Sequence, residues 1–479
     1  MPLTRSVVVV GGGLAGLSAA IEAARAGAAV TLLDKEPRVG GNSARATSGM
    51  NAAPTLTQVG QGVADSVSLF VDDTTRAGKG ANDPTLVEIL ASQSVDALAF
   101  VESFGVSLSA LSRCGGHSVP RTHREKEVSG RPVAVGWDLV RALKSHVDSP
   151  NTIKVVTHAR VTKLIGERGV RVDGVQFESG HLCHEMRATS VILATGGYAA
   201  DVGDDMQASL INKYAPQYTK LPTTNGMFAS GDGVKMAFEF GALVADLDKV
   251  QIHPTGFVDP RHSSNPVKIL APESLRAYGA ILIDIETSRR FVNELATRDE
   301  VSGAMLAIQQ SKQIVNHTQS PLAPTIALLL MNAKIVESYG EAAVAFYMKL
   351  GLIEKFDSLR DLTKQYELQA RVLEQEIVSY AAKAAFGTAD PFGKTVFPVV
   401  FDQSEPFYAA LVTPVRHYTM GGVRITEEAR AMTEAHTPIA NLFCCGEVAC
   451  GLDGANRLAG NSLLGSVVFG RIAGRISAQ

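Results

Sequence analysis

A chain of 479 residues is longer than one simple hydrophobic core usually spans, so its length predicts two domains. Hydrophobic residues make up 46% of the sequence and charged residues 19%, which is typical of a well-packed globular protein. The net charge of −3 provides no basic field, and no apolar run reaches the roughly 18 residues of a membrane span. We therefore expect neither a nucleic-acid partner nor membrane insertion.

The five cysteines are odd in number and irregularly spaced, so they do not predict a disulfide framework. No CxxCH motif and no paired CxxC clusters occur, and we expect no metal site. Residues 1–5 lead directly into a strand and leave no room for a signal or transit peptide. These features predict a soluble protein of the cytoplasm or of an organelle matrix.

The first elements in the chain form a βαβ unit. Val7 to Val10 is a β-branched run that predicts a buried parallel strand. Residues 17–27 are alanine-rich and helical, and residues 28–33 form a second apolar strand that ends at Asp34. Such a unit predicts a parallel sheet with a right-handed crossover.

Later patterns predict further elements and an inserted domain. The predicted elements are an amphipathic helix at 84–104, strands at 153–165, 169–177 and 191–194, and a charged helical stretch at 361–385. Glycine motifs become sparse in the middle of the chain, which indicates an insertion. The predicted domains are residues 1–249 and 418–479, which together bind the cofactor, and residues 250–417, which form the inserted domain.

The segment Gly11-Gly12-Gly13-Leu14-Ala15-Gly16 lies between the first strand and the first helix. In such a motif the first glycine makes a tight turn, the second lets the backbone approach a pyrophosphate, and the third allows close helix–sheet packing. The helix N-terminus favours the anion, and Asp34 is placed to hydrogen-bond a ribose hydroxyl. This context predicts a dinucleotide site.

Further glycine-rich segments favour FAD over NAD. Residues 38–43 follow the second strand, where NAD binding has no need of glycine, and residues 194–197 and 231–233 carry two further sets. The pattern resembles FAD enzymes of the glutathione-reductase-like fold. This resemblance implies an α/β fold, with a glutathione-reductase-like FAD-binding Rossmann domain and an inserted α+β capping domain. Taken alone, each polar residue fits a turn or a helix cap equally well. The residues implied in FAD binding are Gly11, Gly13, Leu14, Ala15, Gly16, Asp34, Lys35, Asn42, Ser43, Thr47, Ser48, Gly49, Ala194, Thr195, Gly196, Asp232, Glu447, Ser462 and Leu463.

Five later segments together resemble the flavoprotein family of fumarate reductases and succinate dehydrogenases. They are residues 251–255, residues 272–276, residues 291–294 with 297–299, residues 417–422 and residues 454–458. The resemblance is greatest to the soluble single-subunit fumarate reductases of lower eukaryotes, followed by the flavocytochrome fumarate reductases. It extends in order from Val7 to Ala473, and five segments in order are far more specific than one.

The resemblance implies reduction of fumarate to succinate, with hydride from N5 of the reduced flavin and a proton from Arg298. Fumarate is a dianion, so its site needs fixed positive charge and bidentate donors, which arginine provides. Arg457 with His417 would hold one carboxylate and His253 the other. The residues implied in catalysis are Arg298, Glu273, Arg276 and His253. The residues implied in substrate binding are His253, Glu273, His417, Arg457, Gly49 and Gly460.

Other interpretations of these residues stay open. His253 alone fits a buried core histidine, Arg298 a surface ion pair, and Arg457 a cap at the start of the last helix. The substrate could instead be a 3-oxosteroid, urocanate or aspartate. The chain could also be the flavin module of a larger electron-transfer assembly, since it needs an external donor such as reduced flavin or a partner domain.

Three departures from the family pattern bear on this interpretation. Ser43 stands where covalent-flavin relatives carry a histidine, so FAD is expected to bind non-covalently. Pro272 replaces a threonine that assists carboxylate binding in bacterial relatives. Asp453, in a segment that together with Ala459 differs from the usual glycine-rich pattern, adds negative charge near Arg457.

Overall fold

We describe a computed structural model of the chain, which covers residues 5–126, 134–148, 153–203, 208–308 and 325–479. Its strands are β1 (Ser6–Val10), β2 (Ala29–Leu33), β3 (Met50–Asn51), β4 (Ala110–Ser112), β5 (Thr122–Arg124), β6 (Ile153–Val156), β7 (Ala159–Glu167), β8 (Arg171–Ser179), β9 (Leu182–Arg187), β10 (Ser190–Leu193), β11 (Val244–Ala245), β12 (Val250–Phe257), β13 (Ile281–Asp284), β14 (Arg289–Arg290), β15 (Ala327–Asn332), β16 (Glu354–Phe356), β17 (Phe407–Thr419), β18 (Gly422–Arg424), β19 (Arg430–Met432), β20 (Pro438–Cys444) and β21 (Ala449–Cys450). Its α-helices are α1 (Leu14–Arg25), α2 (Leu56–Gly60), α3 (Val67–Ala77), α4 (Pro84–Ser92), α5 (Ser94–Glu102), α6 (Val135–Val147), α7 (Leu210–Tyr214), α8 (Asp232–Glu239), α9 (Glu273–Ala277), α10 (Arg298–Ala307), α11 (Ala333–Tyr339), α12 (Glu341–Lys349), α13 (Leu359–Gln365), α14 (Ala370–Phe386) and α15 (Asn461–Ser477).

The main sheet carries the predicted βαβ unit at its centre. Over the described residues its order is β6-β2-β1-β10-β20-β8-β7, with β9 paired to β8 and β19 to β20. The strands from β6 to β8 in this order pair in parallel, and β7 pairs antiparallel to β8. Because parallel strands point their carboxyl ends the same way, the loops after β1, β2 and β10 meet at one edge of the sheet.

A second, antiparallel sheet comes from the middle of the chain. Its order is β12-β17-β15-β13-β14, with β16 paired to β17. It has its own apolar core, from Phe257 to Val412, separate from the core around β1, α1 and α15. The mixed α/β fold is thereby confirmed. The domain boundaries stay a prediction, although β17 continues two residues past position 417.

Helix α15 packs directly on helix α1 through glycines. A Cβ atom added at Gly470 would meet the carbonyl oxygen of Ala15 at 2.6 Å, and one added at Gly474 would meet that of Ala19 at 2.3 Å. Real Cβ atoms do not approach backbone this closely, so both positions need glycine. This packing ties the C-terminal segment to the glycine loop that opens α1.

Three elements that were predicted to be continuous are each interrupted in the structure. The helix predicted at 84–104 is two helices, α4 and α5, which bend by 45° around Gln93. The strand predicted at 153–165 is broken before β7, where His158 has a φ of 53°, a left-handed conformation that interrupts a strand. The helix predicted at 361–385 is α13 and α14, separated by a turn in which Glu367 has a φ of 51°.

Among the described residues, no single helix is long and apolar enough to cross a membrane. The bent pair α4 and α5 reaches that length and composition only when both helices are counted together.

Candidate active site and cofactor cradle

A cavity of about 640 Å³ connects the glycine loop after β1 with the arginines of the middle and C-terminal segments. Every residue predicted to bind FAD lines this cavity except Gly16, which lies beneath the loop. Of the predicted substrate and catalytic residues, the cavity wall includes Gly49, Arg298, His417, Arg457 and Gly460. His253, Glu273 and Arg276 lie behind that wall.

The glycine loop is shaped to admit a ligand at one position and to exclude side chains at two others. Gly11 has a φ of +103°, and a Cβ atom there would meet the Ala194 oxygen at 2.4 Å. A Cβ atom at Gly16 would meet the Gly11 oxygen at 1.8 Å. At Gly13, by contrast, nothing lies closer than the Ser43 hydroxyl at 3.6 Å. The backbone at Gly13 is therefore open to the cavity at the positive end of α1.

Polar side chains fix the edges of this cradle. Asp34 accepts hydrogen bonds from the backbone N–H groups of Gly12 at 2.7 Å and Glu36 at 2.8 Å, and burial raises the pKa of its carboxyl group. Lys35 donates to Asp232 at 2.9 Å and to a neighbouring serine, Ser230, at 2.7 Å. Asp232 therefore orients Lys35 at the cavity edge.

Two threonines leave polar atoms without partners at the same cavity. The hydroxyls of Thr47 and Thr195 are buried and have no hydrogen-bond partner among the described residues. Ser43 is already engaged, because its hydroxyl accepts a hydrogen bond from the Leu14 N–H at 3.1 Å. Buried hydroxyls are normally satisfied, so the unpaired ones call for a bound polar group. Together with the open glycine, they fit the dinucleotide cofactor that the sequence predicts.

Glu447 lies on the cavity wall, where Thr419 is its hydrogen-bond donor. One carboxylate oxygen, Oε1, accepts from the Thr419 N–H at 3.0 Å and from the Thr419 hydroxyl at 3.1 Å. Burial raises the pKa of Glu447 to about 7, and Thr419 and Arg457 only partly offset this effect. Thr419 was not among the predicted site residues.

Arg298 begins helix α10 and reaches the cavity from the middle segment. Its Nε donates to Oε2 of Glu273, and its Nη1 donates to Oε1 of Gln251 at 3.2 Å. Its remaining amino group, Nη2, takes part in none of the hydrogen bonds found among the described residues. Arg298 is thus held by two partners and keeps one donor group available.

Glu273 lies between two arginines. Its Oε1 accepts from the Gly115 N–H at 3.0 Å, while Oε2 lies 3.9 Å from Nη2 of Arg276. Burial alone would raise its pKa, but Arg298, His253 and Arg276 outweigh burial and hold the pKa of Glu273 well below its ordinary value. Glu273 is therefore a carboxylate that connects Arg276 to Arg298.

A buried ion network stabilises the backbone next to Arg276. Nη1 of Arg276 donates to the carbonyl oxygen of Glu294 at 2.6 Å. The Glu294 carboxylate accepts two hydrogen bonds from Arg290, each of 2.8 Å, and one from Lys394 at 2.7 Å. Arg290 also pairs with Asp390 at 2.7 Å. Nε and Nη2 of Arg276 have no hydrogen-bond partner, so this arginine is only partly satisfied.

Arg457 is a buried cation without a counter-ion. Its side chain is 3% exposed, its guanidinium carbon lies 4.3 Å from the centroid of the Tyr418 ring, and its Nε has no hydrogen-bond partner. The residues that the structure describes place no carboxylate oxygen within the 4.0 Å of a salt bridge. Arg457 lies in the loop before α15, not at the helix start as predicted. It is therefore not a helix cap, and an unpaired buried guanidinium suits an anionic ligand.

The two histidines, His253 and His417, lie beside each other with ring centroids 5.0 Å apart and ring planes tilted by 57°. His417 contacts the Thr224 hydroxyl through Nδ1 at 2.7 Å, and His253 accepts from the Thr255 N–H at 3.2 Å. Burial lowers the pKa of His253 to about 3 and holds that of His417 well below its usual value. In both histidines burial therefore favours the neutral form of the ring.

Gln251 lies in the segment 251–255, but the sequence predicted no role for it. Besides accepting from Arg298, its amide nitrogen donates to Oδ1 of Asn456 and, at 3.4 Å, to the Arg457 carbonyl oxygen. It therefore links Arg298 to the loop that carries Arg457. Thr224 was also missed, and its separation of 193 residues from His417 left no local signal.

Among the described residues, no group of three or more His, Cys, Asp or Glu side chains is arranged to hold a metal ion.

The chain is similar to known flavoproteins over almost its whole length. Residues 6–463 match the FAD binding domain family. A fumarate reductase of Schizosaccharomyces pombe is 38% identical, with 98% of this chain and 88% of that protein covered. Fumarate reductase 1 of Saccharomyces cerevisiae is 37% identical, with 98% and 97% covered.

A solved structure shows the same fold. The open conformation of a flavocytochrome c3 fumarate reductase superimposes with a TM-score of 0.75 at 35% identity, covering 99% of this chain and 78% of that one. Identity of this level over nearly full length, together with the FAD-binding match, decides the family. This chain is an FAD-dependent oxidoreductase and belongs to the flavoprotein family that contains these fumarate reductases.

Proposed function

We propose that this protein reduces fumarate to succinate. The observation that carries the proposal is the shared cavity: it joins the glycine cradle to Arg298 and Arg457, one a donor with a free amino group and the other a cation without a counter-ion. A dianion with a C=C bond is the ligand class that matches two converging guanidinium groups. The fumarate reductases among its relatives support the same substrate.

The proposed cofactor arrangement uses the cradle residues. Gly13 and the N-terminus of α1 would hold the pyrophosphate, Asp34 the adenosine ribose, and Thr47 and Thr195 the polar groups of the flavin half. FAD held by these residues would supply the hydride in its reduced form. The parallel main sheet supports a glutathione-reductase-like FAD domain of residues 1–249 and 418–479. The antiparallel sheet supports a cap of residues 250–417.

Arg457 and His417 would bind one substrate carboxylate, since both lie on the cavity wall. His253 is proposed to reach the other carboxylate when the cap closes, because in this arrangement it packs behind His417. The backbone at Gly49 and Gly460 would approach the substrate closely, as both glycines line the cavity in left-handed conformations. Pro272 contributes no hydroxyl, so more of the binding falls to the arginines.

Arg298 would give its proton to the alkene carbon that does not receive hydride. A guanidinium is a weak acid, with a pKa above about 12, so position and immediate resupply must compensate. Glu273 contacts Arg298 and lies 3.9 Å from Arg276, which provides the path for that resupply. Gln251 holds Arg298 in place from the other side.

The test is an anaerobic assay of the purified, FAD-loaded chain with a chemically reduced dye as electron donor. We expect fumarate to reoxidise the donor. One succinate should form for every two electrons that the donor loses. Urocanate and a 3-oxosteroid serve as comparison substrates and should react far more slowly. Faster turnover of either comparison substrate would contradict the proposal. A requirement for a separate partner protein would favour the electron-transfer module instead.

A further inference from the structure

Asp453 is a buried acid beside the substrate arginine that the proposed reaction does not use. It is 5% exposed, and its Oδ1 has no hydrogen-bond partner. Tyr418 and Arg457 line the cavity, whereas Asp453 does not. Arg457 lies over the Tyr418 ring at 4.3 Å, and Asp453, which is buried away from the cavity, interacts electrostatically with both.

We propose that Asp453 takes up a proton when a dicarboxylate binds at Arg457, which couples substrate binding to proton uptake. The inference rests on the proposed function, because it assumes that a carboxylate binds there. Its physical basis is competition for one cation. Arg457 has no salt bridge among the described residues, so in the empty site its charge is available to the Asp453 carboxylate. A substrate carboxylate would claim the same charge and would repel a second anion in a site of low dielectric.

The neighbouring charged groups determine the direction in which substrate binding changes the pKa of Asp453. Burial raises the pKa of Asp453 to about 6, and Arg457, Tyr418 and Arg298 only partly offset it. The remaining titratable neighbour is Glu447, whose pKa Asp453 itself helps to raise. A bound dianion must raise the pKa of Asp453 further. Proton uptake by this group is therefore expected near pH 7, and it should vanish near pH 5, where Asp453 is already protonated.

The experiment is isothermal titration calorimetry of fumarate into the oxidised, FAD-loaded protein, in buffers of different ionisation enthalpy. We expect the wild-type protein to take up a substantial fraction of one proton at pH 7. We also expect its Kd to rise by up to about tenfold per pH unit above pH 6. Asp453→Asn should lose that uptake, bind fumarate several-fold more tightly at pH 7.5, and show a flatter pH profile.

A control variant separates Asp453 from other acids. Asp357→Asn removes an exposed acid that does not line the cavity and should behave as wild type. If Asp453→Asn takes up as many protons as wild type, the inference is wrong and the histidines or Glu447 are responsible.

Infrared difference spectra provide a second measurement that does not depend on how well Asp453→Asn folds. Fumarate should produce the carbonyl band of a protonated carboxylic acid in the wild-type protein and a shifted band in Asp453→Glu. An unshifted band would overturn the assignment to Asp453. If the wild-type protein binds no fumarate at all, the proposed function fails and the coupling with it. That result differs from binding with unchanged proton uptake.

Discussion

Arg457 and Arg298 carry the same charge into one cavity, but their surroundings give them different work. Arg457 has a ring beneath it and no salt bridge among the described residues, so its charge can be used by a ligand carboxylate. Arg298 is already paired with Glu273 and connected through it to Arg276. A free cation is suited to binding, whereas a cation within a relay is suited to proton delivery.

Arg457→Met should mainly raise KM, because the substrate loses a charge-assisted contact while the proton donor remains. We expect kcat/KM to fall. The decrease should correspond to a loss of roughly 2–5 kcal/mol in transition-state stabilisation. Steady-state kinetics with fumarate measures this effect. Arg371→Met, which changes an exposed arginine on α14, is the matched control and should leave both constants unchanged. A loss confined to kcat would contradict a binding role.

Arg298→Gln should leave substrate binding largely intact and lower kcat by roughly 10²–10⁴-fold, because glutamine donates a hydrogen bond but cannot serve as the acid. Arg298→Lys should retain part of the activity through its ammonium group. Reduction of the flavin by the artificial donor, followed by its absorbance, should be unchanged in both. Turnover near the wild-type rate in Arg298→Gln would show that Arg298 only completes an ion pair.

Ser43 is the residue from which we predict non-covalent binding of FAD. Its hydroxyl accepts from the Leu14 N–H, and a serine offers no imidazole for a flavin linkage. We therefore expect acid precipitation of the purified protein to leave a colourless pellet and FAD in the supernatant. Ser43→Ala is a control for general destabilisation. It should weaken FAD binding only modestly. Flavin fluorescence that stays with the denatured polypeptide would refute non-covalent binding.

At the scale of elements, the close packing of α15 on α1 positions both the glycine loop and the loop of Arg457. Gly474→Ala should reduce the free energy of unfolding by about 1–3 kcal/mol, since its Cβ would lie 2.3 Å from the Ala19 carbonyl oxygen. Affinity for FAD should fall as well. Thermal unfolding and flavin titration measure the two effects.

Gly303→Ala is the matched control for this helix prediction. Gly303 lies within helix α10, and a Cβ atom there would meet nothing within 4 Å. Alanine at such a site should be neutral or stabilise the protein by about 0.5–1 kcal/mol. Equal losses in both variants would mean that helix propensity, not close packing, decides the result.

At the scale of the whole molecule, the cavity lies where residues of the second sheet's segment meet those of the main sheet's segment. Arg298 comes from the former and Arg457 from the latter, and Gln251 connects them through hydrogen bonds. If the proposed cap and FAD domain move relative to each other, as we expect, their opening would admit substrate and their closure would exclude water.

A structure of the FAD-loaded protein with bound fumarate tests this arrangement. We expect one ligand to contact both Arg298 and Arg457 within about 3.2 Å, with His417 on the same carboxylate as Arg457. The two guanidinium groups should then lie well within about 15 Å of each other, since one small molecule must reach both. A ligand that touches only one of them would contradict a site shared between the two segments.

Local patterns in the sequence determined the cofactor cradle. The β-branched run of β1, the glycines after it and the acid at the end of β2 are contiguous signals, and the structure places them around one cavity. The continuity of helices and strands was less well determined. The breaks at Gln93, His158 and Glu367 depend on backbone conformations that residue periodicity does not encode.

The sequence by itself also supplied the residue types of the reaction site and their order along the chain. Only the tertiary structure decided the partners of each side chain. Among the described residues, Arg457 has no counter-ion, and Glu273 pairs with an arginine 25 residues away. Thr224 supports His417 across 193 residues. A side chain's charge and hydrogen-bonding capacity are local properties of the sequence. Burial and partners are set by which distant segments the fold brings together, and these decide what each group can do.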